Sequence, residues 1–243
     1  MMSQSGYLTS RESEIIRILR VLSEASDGFV VIGGYAVNAH GQHRFSIDCE
    51  LATNRDNVPV IDATLLREGY ELRRSEVRPP IGVTIREYAK PIGGETTSVL
   101  LFVDTVVNTT TRGIWTYKFT QENSAEAIVM GATDSTPSRV ANRNLLVAMK
   151  LHAGETQDFE DIVMLSEKAD WKAVARCAAC GSKQQLMDQI DYAIGEISSP
   201  KFATELKSTF AMRSDPAFLI KRTVLGLSTL RALFAQEKFK DSL

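Results

Sequence analysis

The stretch that decides the fold is residues 33–51, with the sequence GGYAVNAHGQHRFSIDCEL. It follows a short apolar run, residues 29–32, that is suited to a buried strand. The pair Gly33-Gly34 ends that strand, and residues 35–40 have the composition of a short helix. Residues 47–51 then alternate apolar and polar side chains, as a strand with one solvated face does. The stretch therefore predicts a strand, a glycine turn, a short helix and a second strand.

Two acidic residues, Asp48 and Glu50, lie two positions apart on the predicted second strand. Because side chains alternate across a strand, both carboxylates project from the same face. Two anions this close repel each other, and a divalent cation between them offsets the repulsion. Mg²⁺ prefers hard carboxylate oxygens together with substrate phosphates, so the pair is a candidate catalytic magnesium site. The alternative is an ordinary solvated strand face.

A third acid, Asp104, interrupts the apolar run of residues 99–107. Burying an unpaired carboxylate in a strand costs free energy. Beside Asp48 and Glu50, however, Asp104 would complete a site for two metal ions about 3.5–4 Å apart. The sequence therefore predicts Asp104 as a third catalytic carboxylate and metal ligand. The alternative is an acid at a strand end that pairs with an arginine.

The residues around the glycine pair are suited to a nucleotide's phosphates. Gly33 and Gly34 let the backbone approach a phosphate closely, and the helix that follows presents free N–H groups. Ser46 offers a hydroxyl hydrogen bond, and Arg44 is placed to pair with a phosphate or with a nearby acid. These four residues are the predicted nucleotide-binding set of the first half of the chain.

This combination resembles the polymerase-beta-like nucleotidyltransferase superfamily, whose signature is a glycine pair, a short gap, and two acids separated by one residue. Here 13 residues separate Gly34 from Asp48. More narrowly, the chain is similar to the abortive-infection (AbiEii-like) nucleotidyltransferase toxins, which share Gly-Gly-x-Ala, a later His-Gly, and Arg-x-Thr-x-Asp-x-Asp. The matching residues are Gly33-Gly34-Tyr35-Ala36, His40-Gly41 and Arg44 to Glu50. Serine replaces the threonine, and glutamate replaces the second aspartate.

The resemblance extends to residues 148–162 and implies further nucleotide-binding residues there. It implies that Lys150 contacts nucleotide phosphates and that Asp158 and Asp161 orient basic residues or the nucleotide. The basic pair that the toxins carry before Asp158 is replaced by Thr156-Gln157. Lys150 on an exposed helix face and Asp158 as a helix N-cap are the alternatives.

The activity that the resemblance implies is magnesium-dependent transfer of a nucleoside monophosphate from a nucleoside triphosphate to an acceptor hydroxyl, with two Mg²⁺ ions. In this hypothesis Asp104 also helps to deprotonate the acceptor hydroxyl. The implied acceptor is the end of a transfer RNA, as in toxin-antitoxin systems, with a cognate antitoxin as a further partner. One alternative is a transferase acting on a small molecule such as an antibiotic. Another is a catalytically silent nucleotide-binding or interaction module. A basic surface beside Asp48 would favour RNA, and an acidic or enclosed pocket would favour a cationic small molecule.

The remaining pattern predicts an α+β fold, with a small mixed sheet and flanking helices in residues 1–136 and an all-helical domain in residues 137–243. Strands are predicted at 83–89 and 98–108 as a hairpin, with another at 115–119. From Pro137 onward the apolar spacing becomes helical, with six successive helices from residue 140 to residue 239.

Charge and composition predict a globular protein without a general affinity for polyanions. The chain has 28 Lys and Arg against 30 Asp and Glu, so an RNA partner would need a local basic patch. The arginines that could form one in the first half are Arg73, Arg74, Arg78 and Arg86; the second group is Lys221, Arg222, Arg231, Lys238 and Lys240. Neither a membrane-spanning run nor a signal sequence is evident, so we expect a cytoplasmic protein with no membrane partner.

Overall fold

The computed structural model describes residues 4–41, 43–78 and 83–236. The chain divides into two compact units. The first comprises Met1–Val106 and Trp115–Asn142, and the second comprises Val107–Ile114 and Arg143–Leu243. Among the described residues, no helix combines the length and the apolarity needed to cross a membrane.

The first unit contains a long helix, a large sheet and three short helices. Its helices are α1 (Gln4–Ala25), α2 (Gly33–Asn38), α3 (Val58–Arg67) and α4 (Tyr117–Glu122). Its sheet strands are β1 (Phe29–Ile32), β2 (Asp48–Thr53), β3 (Glu71–Arg78), β4 (Val83–Ile92), β5 (Glu95–Val103), β8 (Ser124–Met130) and β9 (Ser135–Ala141). The short strands β6 (Thr105–Val107) and β7 (Ile114–Thr116) form a separate two-stranded sheet.

The seven strands of the main sheet are ordered β3-β4-β5-β2-β1-β9-β8. The sheet is mixed: β2 pairs with β5 in parallel and β1 pairs with β9 in parallel, whereas the other neighbours are antiparallel. In the β1–β2 pair, Ile32 lies opposite Glu50. The end of β1, where the glycine pair begins, is therefore beside the first residues of β2.

One face of this sheet is covered by helices. The apolar side of α1 is fully buried, and α1 packs against β4, β5, β9 and α3. Cys49, Leu51, Val99 and Leu101 form the covered face and are all 0% exposed. Their neighbours Glu50 and Leu100 point to the other face and are partly exposed. The alternation in β2 thus buries every second residue in the core and leaves the acids on the more open side.

The second unit is helical. Its helices are α5 (Arg143–Ala153), α6 (Thr156–Ser166), α7 (Trp171–Ala178), α8 (Lys183–Ile197), α9 (Pro200–Thr209) and α10 (Ala217–Ala235). The buried imidazole of His152 on α5 bonds Thr111 on one side and the carbonyl oxygen of Ala178 on the other. This contact fixes the segment 107–114 to the helices of the second unit.

The predicted fold class is confirmed, but the boundary and three strands differ from the predictions. The boundary lies between Asn142 and Arg143 rather than after residue 136, and residues 107–114 belong to the second unit. Pro137, interpreted as the start of the helical region, lies inside β9. Strands β3, β8 and β9 were not predicted, so the sheet is larger than expected. The six predicted helices are present, although the predicted end of the last one, at residue 239, lies outside the described residues.

Candidate active site

Asp48 and Glu50 project from the same face of β2, as predicted, and both are partly exposed. Cys49 between them is 0% exposed and points into the core. Burial raises the pKa of the Cys49 thiol well above its usual range, and the two flanking carboxylates raise it further. The thiol is therefore an inert core group, and only the carboxylates are available for chemistry.

Gly33 lies directly against the Glu50 carboxylate. The residue has a φ of +64°, and a Cβ atom built on it would lie 1.8 Å from Oε2 of Glu50. Both facts require glycine: the left-handed backbone disfavours other residues, and a methyl group would occupy the space of the carboxylate oxygen. The glycine bend and Glu50, the second acid of the motif, are therefore in direct contact.

Gly34 lies against the other two predicted phosphate ligands. A Cβ atom on Gly34 would lie 2.4 Å from Oγ of Ser46 and 3.2 Å from a terminal guanidinium nitrogen of Arg44. The structure thus brings Gly33, Gly34, Arg44, Ser46 and Glu50 together around the turn between β1 and α2. The Arg44 residue is 4% exposed, so its charge is directed into the protein rather than into solvent.

Two residues that the sequence analysis missed hold the loop that carries Arg44 and Ser46. The side-chain amide of Asn38 donates to the Arg44 carbonyl oxygen at 2.9 Å and accepts from the Arg44 N–H at 3.1 Å. The Tyr35 hydroxyl donates to the carbonyl oxygen of Ser46 at 3.1 Å. Asn38 is fully buried, and its position at the end of the short helix was the only available signal. These bonds hold the backbone at Arg44 and Ser46.

Groups on three other elements affect the pKa of Asp48. Burial raises the pKa of its carboxyl above the ordinary value, Arg11 on α1 opposes this, Glu87 on β4 raises the pKa further, and a hydrogen bond with Ser98 on β5 lowers it. A cation that binds beside Asp48 would counter both raising effects by favouring the charged form.

Asp104 does not join Asp48 and Glu50, so this prediction is wrong. Strand β2 runs parallel to β5, with Asp48 opposite Ser98 and Thr53 opposite Val103. Asp104 follows Val103 and therefore lies about 20 Å along the sheet from Asp48, at roughly 3.3 Å per residue. It ends β5 with a φ of +65°. The alternative, an acid at a strand end that pairs with an arginine, is what the structure has.

The contacts of Asp104 are those of a structural residue. One carboxylate oxygen accepts from the backbone N–H of Arg55 at 2.9 Å, and the other lies 3.2 Å from the Arg55 guanidinium. Its own N–H donates to the Thr53 carbonyl oxygen at 2.7 Å. The residue therefore fastens the end of β5 to the end of β2.

A different acid, Glu87, shares the face of Asp48 and Glu50. Leu100 of β5 lies opposite Glu50 on one side and opposite Glu87 of β4 on the other. Residues directly opposite each other point to the same face, so Glu87 is two strands from Glu50, about 10 Å between Cα atoms. Its carboxylate lies 3.3 Å from the guanidinium of Arg74 on β3. The sequence placed Glu87 on a strand, but only the strand order shows that it faces the acid pair.

Comparison with solved structures identifies the architecture. The crystal structure of a protein from H. pylori that is proposed to be a nucleotidyltransferase matches with a TM-score of 0.51 and 12% sequence identity, covering 97% of this chain and 98% of that chain. The chain has the nucleotidyltransferase fold. Two further structures align less closely. JHP933 from Helicobacter pylori has a TM-score of 0.49 and 13% identity, covering 98% and 96% of the two chains. The antibiotic-resistance factor ANT(2'')-Ia has a TM-score of 0.47 and 14% identity, covering 69% and 91%.

Comparison of the amino-acid sequence alone identified no relative of the chain. No protein-family model matches the chain, and no curated protein is significantly similar to it.

Lys150, Asp158 and Asp161 form a compact ionic cluster within the second unit. The Lys150 ammonium lies 2.6 Å from Asp158 and 3.0 Å from Asp161, and the Asp161 side chain is 0% exposed. Asp158 also closes a capping box at the start of α6, where it accepts from the N–H of Glu155 at 3.1 Å. The two acids therefore orient Lys150, and the alternative of an exposed helix lysine is wrong.

The arginines of the β3–β4 region are each bound to an acid. Arg73 lies 2.9 Å from Glu71, Arg74 lies 3.3 Å from Glu87 and 3.7 Å from Glu76, and Arg86 lies 2.7 Å from Asp62. The side chains of Arg78, Lys238 and Lys240 lie outside the described residues. Within the described part of the first unit, this region of the nucleotidyltransferase fold therefore presents neutralised arginines rather than a basic patch.

The acid pair is suited to a magnesium–nucleotide complex. Across the described residues, no group of three or more histidine, cysteine, aspartate and glutamate side chains is placed to hold a metal ion by itself. Magnesium, however, is commonly held by one or two carboxylates together with substrate phosphates and water. Asp48 and Glu50 supply two such carboxylates from one face of β2, and the Glu50 carboxylate lies directly against Gly33. The donor set fits an ion that arrives with its nucleotide.

Proposed function

We propose that this chain is a magnesium-dependent nucleotidyltransferase, which moves a nucleoside monophosphate from a nucleoside triphosphate to an acceptor hydroxyl. The observation that carries the proposal is the contact of the Gly33-Gly34 bend with Glu50 on one side and with Ser46 and Arg44 on the other. Carboxylates for a cation and donors for phosphates thus meet at one bend. The nucleotidyltransferase fold of the whole chain supports the same reading.

Each group of this site has a role in holding the triphosphate. Asp48 and Glu50 are the proposed ligands of Mg²⁺, which when bound neutralises phosphate charge and aids departure of pyrophosphate. The Ser46 hydroxyl and the Arg44 guanidinium donate to phosphate oxygens beside Gly34. Asn38 and Tyr35 keep both donors in place, so little ordering is needed when the nucleotide binds.

Transfer requires a group that accepts the acceptor's proton, and we assign that role to Glu87 in place of Asp104. The acceptor oxygen attacks the α-phosphorus, the bond from that phosphorus to the bridging oxygen breaks, and pyrophosphate leaves with the electron pair. The proton of the acceptor hydroxyl passes to the Glu87 carboxylate. Glu87 suits this role because it shares the open face with the acid pair and is partly exposed.

The role of Lys150 in nucleotide contact stays a proposal that rests on the resemblance to the toxin family. Its ion pairs with Asp158 and Asp161 support the part of that proposal in which the two acids orient a basic residue. The same resemblance is the basis for a transfer RNA acceptor and for an antitoxin partner.

A small cationic acceptor is a second candidate, favoured by the charges on the open face. Asp48, Glu50 and Glu87 are acids on that face, and Arg74 beside them is bound to two carboxylates. An RNA acceptor would need unpaired positive charge near the site. A small molecule that carries ammonium groups would instead be attracted by the excess of carboxylates.

Label transfer tests the function and separates the acceptors. The purified chain is incubated with Mg²⁺ and each nucleoside triphosphate, labelled on the α-phosphate in one series and on the γ-phosphate in another. One set contains total cellular RNA and the other contains aminated small molecules with free hydroxyls, such as aminoglycosides. The Asp48→Asn variant is the control.

The proposal predicts transfer of the α-label but not the γ-label, and no transfer by the Asp48→Asn variant. Label in RNA would support the toxin-like acceptor, and label in the small molecules would support the cationic acceptor. Nucleotide binding without transfer to either set would instead indicate a silent binding module.

A further inference from the structure

Leu100 lies between the acid pair and the proposed proton acceptor. The sheet register places Leu100 of β5 directly opposite Glu50 of β2 on one side and directly opposite Glu87 of β4 on the other. Neighbouring strands are about 5 Å apart, so the Leu100 Cα atom is about that distance from each acid's Cα atom. Because directly opposed residues project from the same face, Leu100 separates the two acids on the open face, which is the face that carries Asp48 and Glu50.

The Leu100 side chain is accessible on that face. It is partly exposed, whereas its neighbours in the strand, Val99 and Leu101, are 0% exposed and point into the core. Glu50 and Glu87 on either side of it are also partly exposed. An apolar side chain therefore stands in contact with solvent between two carboxylates.

The open-face residues on either side of this row are more deeply buried. In the row that begins at Asp48, Ser98 and Ala89 are 9% and 3% exposed. In the row beyond Glu50, Ala52 and Ile85 are 1% and 3% exposed. A molecule that approaches the sheet between Glu50 and Glu87 therefore meets the row that contains Leu100.

The transfer reaction requires the acceptor to lie over this row. Its hydroxyl must reach the α-phosphorus of the nucleotide held at Asp48 and Glu50, and it must give its proton to the Glu87 carboxylate. Leu100 is the residue between these two positions. The carbon atoms that bear the hydroxyl then lie against the leucine, and this contact removes apolar surface of both groups from water. A sugar ring suits such a surface, because it carries hydroxyls and C–H groups on one saturated framework.

We propose that Leu100 determines specificity for the acceptor, by contacting the saturated carbon framework of a sugar-like molecule next to its reacting hydroxyl. The proposal rests on the proposed function, because it needs a triphosphate at Asp48 and Glu50 and proton transfer to Glu87. It adds a side chain that acts on the acceptor alone, whereas the acids and the phosphate donors act on the nucleotide. Neither the glycine-and-acid motif nor the resemblance assigns this residue.

Steady-state kinetics of Leu100 variants test this proposal. Leu100→Phe adds bulk over the row, Leu100→Ala removes the contact, and Leu100→Met keeps the apolar character and nearly the volume. The matched control is Leu72→Phe, the same change at a leucine of β3 that is 41% exposed and lies opposite Tyr88, which points into the core.

Two measurements separate the acceptor from the nucleotide. Transfer of the α-label is followed against acceptor concentration, with aminoglycosides in one series and total cellular RNA in another. Calorimetric titration with Mg²⁺ and a nucleoside triphosphate gives the nucleotide affinity of each chain. Thermal unfolding of every chain is measured in parallel.

The expected result for Leu100→Phe is a value of kcat/KM for the acceptor that is about 10-fold to 200-fold lower, the range for a misfit of one methylene in an apolar pocket. Leu100→Ala should lower the same value by about 10-fold, and Leu100→Met should lower it least. Leu72→Phe should match the wild type. The triphosphate affinity should be the same in all chains, because Leu100 contacts the acceptor and not the phosphates.

Three results would overturn the assignment. If Leu100→Phe and Leu100→Ala use the acceptor as the wild type does, Leu100 does not contact it, although the proposed function survives. If the triphosphate affinity falls as much as kcat/KM for the acceptor, or if Leu72→Phe has the same effect, the role of Leu100 is structural. If the wild type itself transfers no label to either set of acceptors, the proposed function fails and the role of Leu100 fails with it. If Leu100→Phe does not fold, Leu100→Ala decides the question.

Discussion

Replacement of Gly33 by alanine should have two effects, which are backbone strain at residue 33 and displacement of the Glu50 carboxylate. The added Cβ atom would lie 1.8 Å from Oε2 and 2.8 Å from Cδ of Glu50. These atoms are the far end of a flexible side chain, so the carboxylate can move aside. To reach ordinary contact at about 3.4 Å, the oxygen must shift by at least about 1.6 Å. We expect the protein to fold and the carboxylate to be displaced.

The magnitudes for Gly33→Ala follow from these two effects. A left-handed backbone at a residue with a side chain costs about 1–2 kcal/mol, which corresponds to a fall in melting temperature of roughly 2–8 °C for a chain of this size. Misplacement of a catalytic group by about 1 Å reduces the rate by on the order of 100-fold. The transfer rate should therefore fall by at least roughly 100-fold while the stability falls only slightly.

Gly94→Ala is the control for strain alone, because Gly94 has a φ of +94° and open space where its Cβ atom would lie. It should show a similar fall in melting temperature with an unchanged transfer rate. In the Gly33→Ala background, Glu50→Asp shortens the acid by one methylene and should restore part of the rate. The measurements are thermal unfolding and initial rates of label transfer. A Gly33→Ala variant that transfers at the wild-type rate would refute the role of the Glu50 carboxylate.

Four further predictions concern residues outside that contact. Asp48→Asn should abolish transfer and leave the melting temperature unchanged or raised, since it relieves repulsion among acids; a large loss of stability in thermal unfolding would indicate a structural ion pair. Asn38→Leu should lower the free energy of unfolding by about 2 kcal/mol or more in urea titration, because it leaves the Arg44 N–H and carbonyl oxygen without partners; an unchanged midpoint would contradict the bracing role. Lys150→Met should cost about 3–5 kcal/mol in the same assay, since two buried acids lose their cation, and a loss near zero would show that the cluster is solvated. Burial lowers the pKa of His152 from 6.5 to about 4, so the unfolded chain takes up the proton first as the pH falls; stability is complete above pH 6.5 and decreases toward pH 4, by about 3 kcal/mol in total. The free energy of unfolding of His152→Gln should change less with pH across that range than that of the wild type. An equal pH dependence in the two chains would contradict this source of it.

Local patterns in the sequence were sufficient to predict the bend and the acid pair. The glycine pair, the short helix and the alternation around Cys49 depend on a few neighbouring residues, and the structure has all three. The contacts of Gly33 with Glu50 and of Gly34 with Ser46 follow from a single antiparallel pairing of adjacent strands. Residues 33–47, which include α2, join the two strands, and strands consecutive in the chain are commonly neighbours in a sheet.

The third acid could not be predicted because it depends on strand register between distant segments. Asp104 and Glu87 both lie on segments that the sequence identifies as strands, yet only the parallel pairing of β2 with β5 decides which of them is near Glu50. Nothing in the residues around Asp104 specifies that register. The isolated acid in an apolar run ends its strand and bonds Arg55, instead of lining the site.

The missed strands have a related physical cause. Strand β3 lies at the edge of the sheet and reads ELRRSEVR, with charged residues at most positions, as edge strands exposed to solvent commonly have. Strand β9 contains Pro137, which lacks a backbone donor and is a signal for a boundary. Val140 of β9, three residues beyond the proline, lies opposite Val31 of β1. In both strands the tertiary setting outweighs the local preference.

The central claim is that Asp48 and Glu50 hold a metal–triphosphate complex at the glycine bend. Titration of nucleoside triphosphates with and without Mg²⁺, for the wild type, Asp48→Asn, Glu50→Gln and Asp104→Asn, tests it most directly. We predict Mg²⁺-dependent binding that both substitutions in β2 abolish and that Asp104→Asn leaves intact, since Asp104 lies at the far end of the strand pair. Binding that is indifferent to Mg²⁺, or that survives in both β2 variants and is lost in Asp104→Asn, would contradict the claim.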